Sequence, residues 1–175
     1  EKSGKKTGKM SNIVVKDVDQ INSLVWFRND LRVDDHTGLK SAIENSSKVI
    51  GIYCFNPNLY VDNKLGFKKT DNFRAKFLIQ TLKNLKKNLK KINISLVIKI
   101  GDPVKELSKI ISENKINNIY FQNEWTKEEK HEENSLKNEF ENVTFLGSYD
   151  QFLYHPVDVE NEFISDVFTN FRKYC

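Results

Sequence analysis

Five short apolar runs punctuate the chain after residue 22: 23–27 (SLVWF), 48–55 (KVIGIYCF), 94–100 (ISLVIKI), 118–121 (NIYF) and 143–147 (VTFLG). Each has strand length, and none alternates cleanly between apolar and polar. The pattern predicts strands buried on both faces, as in a parallel sheet. Helical patterns lie between them. Residues 71–92 carry Phe73, Phe77, Leu78, Leu82, Leu85, Leu89 and Ile92 at steps of mostly three or four, with lysines interleaved on the outer side. Asp102 then Pro103 reads as an N-cap followed by proline at the first helical position, and Val104, Leu107, Ile110 and Ile111 supply that helix's inner face. Thr126 and Glu129 have capping-box spacing and open a mostly charged helix anchored by Leu136 and Phe140. A shorter helix is predicted over 37–45.

Strand and helix thus alternate from end to end. Right-handed crossovers then give an α/β fold: a five-stranded, doubly wound, Rossmann-like parallel sheet in the order 3-2-1-4-5, with helices on both faces. Such sheets bind ligands beyond the carboxyl ends of their strands, where the strand order reverses. Two loops should face each other there, 28–36 after strand one and 122–126 after strand four. Ahead of the sheet, residues 1–20 read as a Lys-rich disordered tail. The domain itself spans 21–148. Residues 149–175 lose all strong periodicity but are dense in aromatics, which usually pack on something. They are expected to wrap back on the domain and then lead away as a connector.

Charge refines this outline locally rather than globally. The net charge of +4 over 175 residues is unremarkable. Residues 64–92, however, hold nine lysines and one arginine against one aspartate, while 124–141 hold seven glutamates against three lysines. The basic block suits either phosphate contact or a solvated face. Its aromatics are assigned to the inner face of the helix, so the solvated face is expected. No apolar run is long enough to cross a membrane. Two distant cysteines, Cys54 and Cys175, fit a reducing, intracellular setting better than a disulfide framework, and no Cys/His cluster has zinc-ligand spacing.

Motif chemistry is sparse. Neither a phosphate-binding glycine loop nor a nucleophile elbow occurs, which disfavours an ordinary nucleotide-binding module or hydrolase. His36 and His131 fall in polar segments expected to be exposed, and His155, before Pro156, is expected to order a loop. The loop RNDLRVDDH (28–36) is denser. One of its acids, Asp34 or Asp35, can cap the following helix. The others form either an internal ion-pair lattice or one wall of a ligand site. Asn29 and Asp30 come first after the strand and are best placed to point into the crevice. Opposite them, Glu124 offers a carboxylate able to accept two N–H bonds, Asn123 an amide and Trp125 a flat face. Together these suit a planar heterocycle with adjacent N–H groups; a loop glutamate with no such role is the plainer alternative.

The segments LVWFRNDLRVDDHTGL (24–39), IYCFNPNLY (52–60), GFKKTDNFRAKFLIQTLKNLKKNL (66–89), FLYHPVDV (152–159) and DVFTNFRK (166–173) resemble the photolyase/cryptochrome family, the cryptochrome-DASH branch in particular. The resemblance implies the amino-terminal α/β domain of a light-dependent flavoprotein. It implies an antenna chromophore, commonly methenyltetrahydrofolate, in the cleft beside this domain, bound through a glutamate that matches Glu124. FAD and the damaged base belong to a helical carboxy-terminal domain, toward which 149–175 would lead. The whole protein would repair cyclobutane pyrimidine dimers, chiefly in single-stranded DNA, or else signal blue light without repair. This fragment alone is expected to be catalytically inactive and to hold its antenna weakly. Asn123 and Trp125 stand where that branch carries a basic and an aliphatic residue, and Asn56 where aspartate is common; Trp125 could itself fill the pterin pocket.

Overall fold

A computed structural model describes residues 20–62, 66–152, 155–158 and 166–174. Residues 1–19 of the expected 1–20 tail lie outside the described residues. Five parallel strands form one sheet in the order β3-β2-β1-β4-β5: β1 (Asn22–Phe27), β2 (Lys48–Phe55), β3 (Ser95–Ile100), β4 (Asn118–Gln122) and β5 (Thr144–Ser148). The helices are α1 (Thr37–Glu44), α2 (Asn72–Lys91), α3 (Pro103–Asn114), α4 (Lys127–Glu139) and a short α5 (Phe168–Tyr174). The predicted α/β architecture and strand order are those observed.

Alternation along β1 divides the core in two. Leu24 and Trp26 point to one face, where Leu107, Ile110 and Ile111 of α3 and Leu136 of α4 cover them. Val25 and Phe27 point to the other, beneath Leu39 and Ala42 of α1 and Leu82, Leu85 and Leu89 of α2. Gly51 on β2 is required by this second layer. A Cβ there would sit 3.0 Å from the Phe27 ring and 3.3 Å from Leu96. The caps of α3 and α4 are as predicted. Asp102 accepts from the Lys105 N–H at 3.1 Å, and Thr126 and Glu129 form a reciprocal capping box.

Burial on both faces holds for the central strands only. On the edge strand β3, Ile98 is 41% and Ile100 73% exposed. Helices cross over the middle of a doubly wound sheet, so its margins keep one open side.

The larger correction concerns α2. Its buried positions are Leu82, Leu85 and Leu89, whereas Phe73 is 88%, Phe77 69% and Ile92 45% exposed. Steps of three and four drift around the helix. Phe73 precedes Leu82 by nine residues, about two and a half turns, and so faces the opposite way. The narrow leucine stripe still suffices to dock the helix. Five like-charge pairs among Lys83, Lys86, Lys87, Lys90 and Lys91, spaced three or four apart, cost about 0.2–0.5 kcal/mol each. Burying each leucine returns about 1.5–3 kcal/mol.

Candidate functional site

The register of β1 against β4 decides what meets at the carboxyl rim. Trp26 pairs with Phe121. Three residues further along each chain stand Asn29 and Glu124, and the Asn29 Nδ2 donates to Glu124 Oε1 at 3.0 Å across 95 residues of sequence. Gln122 Nε2 lies 3.3 Å from the same oxygen. The two loops expected to meet therefore meet. Glu124 Oε2 accepts no hydrogen bond among the described residues, so one carboxylate oxygen stays open at the rim.

The other predicted site residues divide. Asp30 is buried and turned inward, not into the crevice. Its Oδ1 accepts the Arg28 backbone N–H at 2.8 Å and its Oδ2 lies 2.9 Å from His36 Nε2. Burial alone would raise the Asp30 pKa, but the His36 ring and the Arg28 N–H outweigh it and hold the carboxyl below its ordinary 3.8. His36 is likewise buried, against expectation, and it displaces both Asp34 and Asp35 as the N-cap of α1. Its Nδ1 accepts the Leu39 N–H at 3.1 Å, so the ring proton belongs on Nε2, facing Asp30. Asp150, just past β5, accepts the Thr37 N–H at 3.0 Å and secures the same helix end. This half of the 28–36 loop is internal scaffolding. Arg32 adds to it by donating to the Asp35 carbonyl at 2.9 Å.

Asn123 turns back over β5. A Cβ at Gly147 would collide with its side chain, so glycine there is what lets Asn123 lie flat. Its backbone is held from both sides, its N–H by the Ser148 carbonyl at 2.8 Å and its carbonyl by Gln151 Nε2 at 2.7 Å. Trp125 is half exposed and stacks on Tyr149, with ring centroids 5.5 Å apart, while Phe152 meets it edge-on at 5.7 Å. The start of the 149–175 segment thus wraps back on the domain, and Trp125 is engaged with it. Tyr154 and Phe163, also expected among the packing aromatics, lie outside the described residues. His155 meets Tyr149 at 5.4 Å and accepts the Val157 N–H at 3.4 Å, ordering its loop as expected. His131 is exposed on α4, also as expected.

Sequence reasoning missed a second feature of the rim. Arg28, the first residue after β1, folds under its own loop with a side chain 7% exposed. Its guanidinium lies 4.1 Å from the Trp26 ring centroid and 5.2 Å from that of Phe121. Glu133 Oε2 is 3.8 Å away, beyond hydrogen-bond length, and none of the three guanidinium nitrogens has a hydrogen-bond partner among the described residues. Burial lowers the Arg28 pKa, against the pull of Glu133 and Glu124. The group lines a cleft of about 160 Å³ with Asn29, Cys54, Asn56 and Glu132. Burial pushes the Glu132 carboxyl up to about 7, an effect that Arg28 opposes and Asp102 and Glu129 reinforce. Burial also pushes the Cys54 thiol up to about 12, so it is no thiolate nucleophile. The available signal was the spacing of Glu128, Glu129, Glu132 and Glu133, which puts acids on one face of α4 beside the end of β1. Among the described residues no group of His, Cys, Asp or Glu could hold a metal ion.

Comparison with known proteins agrees with this geometry. The sequence pattern of the DNA photolyase family matches residues 23–175. A cryptochrome DASH of Gloeobacter violaceus is 36% identical over 154 residues, covering 86% of this chain and 31% of that protein. The blue-light photoreceptor PHR2 of Arabidopsis thaliana is 35% identical, covering 78% of this chain and 31% of its own length. The crystal structure of a Synechocystis cryptochrome superposes with a TM-score of 0.81 at 32% identity, covering 88% of this chain and 33% of that one. A Sulfolobus tokodaii photolyase shares the fold at a TM-score of 0.74 and 24% identity. The chain spans about a third of the length of these relatives.

Proposed function

The chain belongs to the DNA photolyase family, and from that premise we propose that it is the antenna-side α/β domain of a light-dependent flavoprotein similar to cryptochrome DASH. On this reading the β1–β4 rim receives the pterin edge of a reduced folate such as methenyltetrahydrofolate. The observation that carries it is the Asn29–Glu124 hydrogen bond, which presents a carboxylate at the switch point with one oxygen fixed and the other open. A pterin offers adjacent N–H groups, and a carboxylate accepts such a pair. The residues present therefore fit the group at Glu124. Asn29 and Gln122 orient the carboxylate. Asn123, lying over Gly147, contributes by keeping the turn flat rather than by contact. Trp125, stacked on Tyr149, supplies a flat apolar face beside the rim. Asp30 supports the loop from beneath, through His36.

When bound, such an antenna absorbs near-ultraviolet or blue light and passes its excitation to a flavin. FAD would be held by a helical carboxy-terminal domain of the same protein, the partner toward which residues 149–175 lead. The parent protein would then split cyclobutane pyrimidine dimers by electron donation from reduced FAD, preferring single strands because a lesion there leaves the stack at low cost. This domain alone carries none of that catalysis.

The test is a fluorescence titration of methenyltetrahydrofolate into this chain. Weak binding is expected, and Glu124→Gln should weaken it about tenfold further, since hydrogen bonds to a charged group contribute about 1.5–3 kcal/mol. Binding left unchanged by Glu124→Gln would overturn the role given to the rim.

A further inference from the structure

The basic block of the sequence begins ahead of α2, and its leading end makes a contact of its own with the acidic block. Lys69 Nζ donates to both carboxylate oxygens of Glu128, each at 2.6 Å, across 59 residues of sequence. Glu128 stands in the first turn of α4. The contact fastens a particular piece of chain. Thr70, next to Lys69, donates its N–H and its hydroxyl to the Leu59 carbonyl at 3.1 and 3.3 Å. Leu59 belongs to the 3-10 turn Pro57–Tyr60. The Asn56 side chain caps that turn by accepting the Asn58 N–H at 3.0 Å, and Tyr60 stacks on Phe55 with centroids 4.8 Å apart.

This turn supplies one lip of the Arg28 cleft, through Asn56 and Leu59, and Glu128 and Glu132 of α4 supply the other. An outer hollow of about 510 Å³ shares those four residues and has Lys69 in its wall. The ion pair therefore bridges the two lips where the cleft opens outward. Its side chains are 46% and 70% exposed. A pair so open to water contributes little to the fold as a whole. It is enough, however, to bias the position of one short turn that a few hydrogen bonds otherwise hold. We propose that Lys69 and Glu128 form a salt-sensitive clasp, which holds the turn at 57–60 across the mouth of the Arg28 cleft and so controls access to it. With the pair made, solutes enter slowly. With the pair broken, the turn moves off α4 and the cleft opens. The clasp is separate from the Asn29–Glu124 contact and does not depend on a ligand at the rim.

Cys54 lines the same cleft and reports on access to it. Cys175→Ser removes the second thiol of the sequence, and in that parent the labelling rate of Cys54 by N-ethylmaleimide, an uncharged reagent, is measured at constant pH. Lys69→Gln should label about two to five times faster, the factor an exposed ion pair supports. Salt that screens exposed charges should speed the parent by a similar factor and leave Lys69→Gln unmoved. Lys69→Glu combined with Glu128→Lys rebuilds the pair in reverse and should return the rate close to that of the parent. Urea unfolding of each variant should give the parent's midpoint. Equal labelling of the parent and Lys69→Gln would overturn the proposal, as would a parent rate indifferent to salt. A reversed pair that labels as fast as Lys69→Gln would overturn it too, since the two side chains would then not act through each other. Rates that follow the unfolding midpoint would assign the labelling to loosening of the whole fold and remove the clasp.

Discussion

The carboxyl rim of the sheet and the outer face of α2 invert the usual distribution of residues in opposite senses. At the rim a guanidinium is buried with its donors unmatched, and a glutamate is pushed up to about 7 beside it. On α2 two phenylalanines stand in water among lysines. Buried polar groups and exposed large apolar ones are the informative exceptions in a globular domain. Each lowers stability, and neither is needed to form the sheet. The difference lies in what would satisfy them. Arg28 needs an acceptor that enters a cleft of about 160 Å³, whereas Phe73 and Phe77 need a flat cover over an open surface. The scaffolding between, from Asp30 through His36 to the start of α1, sets each buried polar group against a counterpart: His36 Nε2 lies 2.9 Å from Asp30 Oδ2, and His36 Nδ1 accepts the Leu39 N–H.

The comparison breaks first at Arg28. Arg28→Ala should lower stability by about 3 kcal/mol, because it empties the space against the Trp26 and Phe121 rings, while Glu133 keeps Lys137 as its counter-charge. Arg28→Met, which refills the volume without the unmatched donors, should stay within about 1 kcal/mol of the parent. Urea unfolding of the two variants measures both. If methionine were as damaging as alanine, Arg28 would be a structural cation and the rim would lose its distinction.

A smaller effect is expected at Glu132. Its folded pKa, about 7, lies above the ordinary 4.5. Between those values the folded protein keeps a proton that the unfolded chain has released, so this group's contribution to stability falls as pH rises from 4.5 through 7. Glu132→Gln should match the parent in acid and exceed it at about pH 8 by about 1 kcal/mol, allowing for solvent screening of a partly exposed group. Unfolding midpoints at the two pH values measure it; a variant advantage equal at both would show that charge burial is not the cause.

The smallest effect sharpens the other side of the comparison. Phe73→Ser and Phe77→Ser should change the melting free energy by no more than about 0.5 kcal/mol each, since neither ring is packed. A loss of about 2 kcal/mol or more, on the scale of a buried ring, would place Phe73 in a core and end the comparison with the rim.

The meeting of the two rim loops was legible in the sequence because it needs only topology. Apolar runs of strand length separated by helical patterns set the strand order, and the equal offsets of Asn29 and Glu124 from the paired Trp26 and Phe121 followed from parallel register. The caps at Asp102 and Thr126 were legible because capping is settled within one helical turn. The cap of α1 was not. Asp34, Asp35 and His36 can each accept a backbone N–H, and the choice fell to His36 because Asp30, from the end of β1, lies where its second ring nitrogen must donate. The burial of Arg28 was hidden for a related reason: the rings of Trp26 and Phe121 that shelter it come from two different strands.

The amino-acid order by itself determined the strand order, the switch point and the residues on its two loops, since periodicity and capping act over a few residues and right-handed crossovers leave few topologies. Tertiary structure alone decided which of those polar residues look outward and which hold the loop up, and on which side of α2 the phenylalanines stand. Those outcomes depend on where 3.6-residue turns fall against a leucine stripe and on partners brought together from distant strands, distances that local spacing does not contain.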